Sequence, residues 1–157
     1  MPPTLRSLLV AALLAAAPAL HAQGRPLRAD GVRGLTFGTV FPGIQVPVPA
    51  SDAARSAQFD ISGVKNSSIQ ITLLLPSQLT GAGTTIPLTF GAADGGYSLT
   101  GSTAGLMPFD PRVPLTTVLS NSGRGTVFLG GTLVPPNSQR AGSYVGTITI
   151  TVAPLSL

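Results

Sequence analysis

The chain has 157 residues, of which only 9% are charged, a formal net charge of +4, and no Cys or Trp. It also lacks Glu; its one His, His21, falls within the first 22 residues, and the carboxylates are Asp30, Asp52, Asp60, Asp94 and Asp110 alone. Chemistry that runs on imidazole, thiolate or clustered acidic ligands has almost nothing to work with here. The composition therefore argues against an enzyme: no catalytic, cofactor-binding or metal residue is assigned, and no cofactor is expected.

Residues 1–22 read as a secretory signal peptide. Arg6 supplies the positive start, Leu8 to Ala17 the unbroken apolar stretch, and Pro18 the break before a small-residue cleavage site at Ala22. Ten apolar residues are too few for a membrane-spanning helix, which needs about 20. The expected mature chain is exported, to the periplasm, the cell surface or the medium, with no transmembrane segment. About 135 residues then remain, enough for one domain. Residues 23–33, with Pro26 and three Arg, read as a mobile N-terminal arm; residues 34–157 read as the single domain. The Arg group lacks the stripes and stacking aromatics of a nucleic-acid binder, so no nucleic acid is expected.

Through that domain the recurring signal is period-two alternation of β-branched and aromatic residues between turn residues. Leu35 to Val40 carries Phe37 and Gln58 to Val64 carries Phe59 and Ile61. In Ser68 to Leu75, Ile69, Ile71, Leu73 and Leu75 alternate inward up to Pro76. Thr85 to Phe90 follows, carrying Ile86, Leu88 and Phe90, then the short Tyr97 to Thr100 and Val113 to Leu119. Gly125 to Val134 carries Val127 and Leu129 and is interrupted at Gly130-Gly131, which suggests a bulge or a close backbone approach. The clearest run is Gly142 to Val152, with Tyr144, Gly146, Ile148, Ile150 and Val152 on one face and a Thr-rich face opposite. Pro42, Pro47 and Pro49 keep Phe41 to Ala50 out of a central strand. Seven or eight short strands, with no helical periodicity, predict an all-β fold: an antiparallel, immunoglobulin-like (pilin-like) β-sandwich.

Several words along the chain, taken in order, carry a resemblance. They are Leu35-Thr-Phe-Gly38 with Pro42-Gly43, Phe59-Asp-Ile-Ser-Gly63, Ile69-Gln-Ile-Thr-Leu-Leu-Leu-Pro76 with Leu79-Thr-Gly81, Leu129-Gly-Gly-Thr-Leu133, and Gly142-Ser-Tyr-Val-Gly-Thr147. Over Gly34 to Val152 the chain resembles a family of exported bacterial β-sandwich proteins catalogued as a domain of unknown function (DUF4402-like). That family is similar to spore coat protein U and to archaic chaperone–usher pilins. The resemblance implies an immunoglobulin-like sandwich in fimbriae, coats or related assemblies and transfers no catalytic residue. In such assemblies a neighbour's N-terminal extension fills an open groove. Here that segment, Gln23 to Gly34, offers Leu27 and Ala29 on one parity and Val32 on the other, which makes it a poor donor strand. Pro154 is expected to break any ladder at the end of the chain.

Several side chains admit both a sharp chemical reading and a plainer structural one. Ser62, Ser67 and Ser68 near Lys65 suggest a Ser–Lys nucleophile, but Gly63 to Ser68 reads better as a polar turn between two strands, without a positioned base. Asp94 and Asp110 are candidate cation ligands, yet calcium needs clustered oxygens and these residues are scattered, so turn and cap duty is the better reading. Thr147, Thr149 and Thr151 suit a flat recognition face or simply a solvent-side strand. Gly91 to Gly105 reads as a mobile hairpin tip, the place for adhesion if any exists. The function expected is a non-catalytic surface protein, a fimbrial or coat-like structural or adhesive subunit, whose partners are other copies or fimbrial subunits joined by strand addition. The alternative is a monomeric periplasmic or secreted module that recognises glycan or protein through its loops.

Overall fold

A computed structural model describes residues 24–155. The proposed signal peptide lies outside them. The described chain is all β, built as an antiparallel β-sandwich from β1 (Arg28–Arg33), β2 (Val46–Val48), β3 (Ala57–Ser62), β4 (Ser68–Leu74), β5 (Gln78–Gly81) and β6 (Thr84–Thr89), then β7 (Gly95–Ser98), β8 (Met107–Phe109), β9 (Leu115–Val118), β10 (Arg124–Leu129), β11 (Gly131–Leu133) and β12 (Thr149–Pro154). Twelve elements replace the seven or eight expected: β1 and the short β2, β5 and β8 are added, the Gly125 to Val134 run divides into β10 and β11, and the Leu35 to Val40 run forms no strand.

A five-stranded sheet runs β1-β3-β10-β7-β8 and a three-stranded sheet β12-β4-β9. Their inward residues form one core, in which Ala57, Phe59, Ile61, Ile69, Ile71, Tyr97, Leu119, Val127 and Leu129 are buried. These positions follow the alternation: Phe59 and Ile61 on β3, Ile69 and Ile71 on β4, Val127 and Leu129 on β10. Each such side chain contributes about 1.5–3 kcal/mol by leaving water. Tyr97 crosses the layers, its hydroxyl donating to the Val118 carbonyl oxygen at 2.9 Å. Burial pushes its phenol above the ordinary value of 10.

A four-stranded sheet, β2-β11-β6-β5, extends the fold at one end. Its core holds Phe37, Val48, Ile86, Leu88 and Leu133, and Leu35 and Phe90 pack against both cores. The chain passes from the first sheet to this one at Gly130. There the backbone approaches β2 so closely that a Cβ would overlap the Val48 carbonyl oxygen. The close approach expected at Gly130-Gly131 is thus real, and its cause is the sheet change. The Pro-rich Val46–Val48 strand takes an edge position, where Pro47 need not donate.

Four expectations are corrected. Residues 28–33 of the arm are not mobile chain; they form the edge strand β1, with Arg28 opposite Ser62, Ala29 opposite Ile61 and Asp30 opposite Asp60. A register shift between Gly31 and Arg33 absorbs the parity break that made the segment look a poor strand. Leu27 and Ala29 pack on the core, while Val32 is 55% exposed. Leu35 to Val40 is not a strand, although Phe37 is buried, because only Thr36 of this run donates a backbone bond, to Arg55 (2.9 Å). Gly91 to Gly105 is not a tip throughout: it contains β7, buried at every position between β10 and β8. Pro154 does not break the ladder but ends it, opposite Ile69, and Leu155 donates to Ser68 (3.0 Å). The edge position explains this, since Pro lacks only the N–H that an outward residue leaves free.

Candidate functional site

The residues singled out by chemistry are absorbed by local structure. Ser67 closes its own turn by donating to the Val64 carbonyl oxygen (2.7 Å), and Lys65 stands exposed in that turn. Ser62 ends β3 and Ser68 begins β4, so the turn separates them. Asp94 accepts from the Gly91 amide (2.6 Å) and Asp52 from Arg55 (2.7 Å). Asp110 accepts two guanidinium bonds from Arg112, at 2.8 and 2.7 Å, and its backbone N–H at 2.9 Å. For Asp94 and Asp110 this is the turn and cap duty expected of them. Thr147, Thr149 and Thr151 are exposed, as the alternation requires.

The Arg112 guanidinium holds the Asp110 carboxyl at about 2, below its ordinary 3.8, and Arg55 lowers Asp52 in the same direction. A carboxyl depressed in the folded state adds stability that is complete above the unfolded value and disappears as pH falls through the folded one. The melting temperature should therefore fall between about pH 4 and pH 2, and Arg112→Gln should make that fall shallower. A pH series of thermal melts checks it; the pair is at the surface, so the effect is small.

The feature that local structure leaves open is a groove of about 710 Å³ where the two cores meet. Its floor is apolar, with Phe59, Leu79, Ile86, Leu88 and Leu133. One rim is the end of β1 with residues 34–38; the other is residues 142–148, directly before β12. The second rim has the alternation of a strand: Tyr144 and Ile148 are half-buried, and Ser143, Val145 and Thr147 are exposed. Yet its ladder is one bridge, Thr80 to Val145, in which Thr80 donates at 2.8 Å and accepts at 2.9 Å. The strand expected over Gly142 to Val152 thus begins only at Thr149, although its faces are as read.

Two further ties hold this rim. The Tyr144 hydroxyl donates to the Arg140 carbonyl oxygen (2.7 Å) and accepts from the Gln139 amide (2.6 Å). Gly81 allows the close approach to β5, since a Cβ there would overlap the Ser143 carbonyl oxygen. Gly81, Gly142 and Gly146 carried no chemistry in the sequence; their spacing about Leu79 and Tyr144 is legible only once the two segments are seen side by side.

The fold defines an all-β, antiparallel sandwich domain with an apolar seam open along one side. The chain belongs to the family described as domain of unknown function (DUF4402), whose model matches residues 28–153. The match starts on the first residue of β1, so the strand that replaces the expected arm is part of the family's domain. No curated protein matches the chain.

Proposed function

We propose that the protein is an exported, non-catalytic structural subunit of a surface assembly of fimbrial or coat-like, immunoglobulin-like domains, joined to its neighbours by strand addition at the seam. The observation that carries this reading is the rim at residues 142–148. It has strand-like alternation and a single bridge, beside an apolar floor. An added strand gains affinity from main-chain hydrogen bonds and specificity from alternate side chains in pockets. This rim offers unpaired backbone, and the groove offers the pockets. The chain's own β1 is committed to β3, so the added strand comes from another copy or another subunit of the assembly.

Val145 lines the groove from the second rim, is 70% exposed and packs against neither core. Val145→Arg should leave the domain folded but abolish oligomers and surface filaments, as seen by size exclusion and by electron microscopy of cells. Filaments that persist with this folded variant would refute assembly at the seam.

A further inference from the structure

The outer face of the five-stranded sheet holds a second concavity, of about 660 Å³, and its chemistry is the opposite of the seam's. The register builds its floor in two rows. Arg28 and Arg124 lie on either side of Ser62, and in the next row Asp30, Asp60 and Thr126 are in register. The rows are two residues apart along each strand, about 7 Å. Thr126 is 5% exposed, although it points away from the core. Its Oγ1 donates to Asp60 Oδ1 at 3.0 Å, and Gln58 Nε2 donates to the same oxygen at 3.3 Å. Residues 99–101 and the turn at Ser122 wall the basin, and Arg25 also lines it.

The charge arrangement points to a ligand. Three arginines and two aspartates line the basin, but the ion pairs among the described residues are Arg55–Asp52 and Arg112–Asp110, both elsewhere. The guanidinium forks of Arg28 and Arg124 are therefore not spent on the basin's own carboxylates. Such forks match a carboxylate or other oxyanion in bidentate fashion. Asp30 and Asp60 repel a bare anion one row away, yet accept from hydroxyl groups. A partner that carries one carboxylate and several hydroxyls satisfies both rows. The volume lies within the ordinary range of ligand sites, about 300–1,000 Å³.

We infer that this basin binds an acidic saccharide, with a uronic-acid carboxylate on Arg28 and Arg124 and the sugar hydroxyls on Asp60 and its row. The site is on the face opposite the core and does not depend on assembly at the seam. Calorimetric titration of the purified protein with tetragalacturonate should show saturable binding that weakens as salt rises. Arg124→Gln should weaken it at least about tenfold, the loss of one charge-assisted pair, with an unchanged melting temperature. Lys65→Gln, which removes a cation outside the basin, should have no such effect, and Val145→Arg should bind as the wild type does. Absence of saturable binding would overturn the proposal. So would equal affinity for the matching neutral tetrasaccharide, or for inorganic sulfate, which would reveal a sugar site without carboxylate recognition or a general anion patch.

Discussion

Aspartate in place of Val127 is expected to leave no cooperatively folded domain. Val127 is fully buried at the centre of β10, between β3 and β7 in the five-stranded sheet, in the core it shares with Ile69 and Ile71 of β4. A carboxylate there loses its water and finds no cation, which costs several kcal/mol even if the group protonates. Removing a valine from the core adds about 1–3 kcal/mol more. Those terms together rival the whole stability of a domain this size, about 5–15 kcal/mol. The same substitution at Thr149 puts the charge on the exposed face of β12, where the effect should stay within about 0.5 kcal/mol. Circular dichroism melts of the two variants check the contrast, and equal losses would mean that the faces are misassigned.

Gly130→Ala is expected to destabilise the domain strongly. Its Cβ would meet backbone only: the Val48 carbonyl oxygen, Ala50 N at 2.7 Å and Pro49 C at 2.8 Å. Backbone cannot rotate away as a side chain does, so β2 must shift from β11 and the turn between the two sheets must open. A cost of about 2–4 kcal/mol is expected, which lowers the melting temperature by about 10 °C or more. Gly131→Ala is the control. Its Cβ would approach Phe90 at 3.1 Å and Leu35 at 3.4 Å, side chains at the groove end of the core that can yield by a few tenths of an ångström. Its cost should be about 1 kcal/mol or less. Comparable destabilisation by both would refute the argument that the sheet change depends on Gly130.

The two candidate sites divide the surface between two kinds of contact. The seam is apolar and bounded by backbone with a single bridge; the basin is polar and built on β1, β3 and β10, which are paired with one another. Damage at the seam should therefore show in assembly, and damage at the basin in ligand affinity. Asp30 opposite Asp60 supports this division, because like charges directly across a strand pair are destabilising. Their placement is understandable if hydroxyl donors from a ligand and the Thr126 and Gln58 donors share the burden.

The all-β class, the inward faces of β3, β4, β6, β10 and β12, and the special role of Gly130-Gly131 are legible in the amino-acid sequence alone. They are legible because a strand with one face on a core must alternate, and the alternation is written residue by residue at Ile69 to Leu74 and at Tyr144 to Val152. The sequence did not reveal β1, whose place is set by hydrogen bonds to β3 and by a bulge, neither of which needs a side-chain pattern. Nor did it show that Leu35 to Val40 and residues 144–148, both patterned as strands, would find almost no partner. Pattern marks which side chains go inward, whereas pairing depends on which backbone is brought alongside. The seam and the basin are both products of that second decision: one arises where two rims meet without a ladder, the other where register aligns Arg28, Ser62 and Arg124 from three distant parts of the chain.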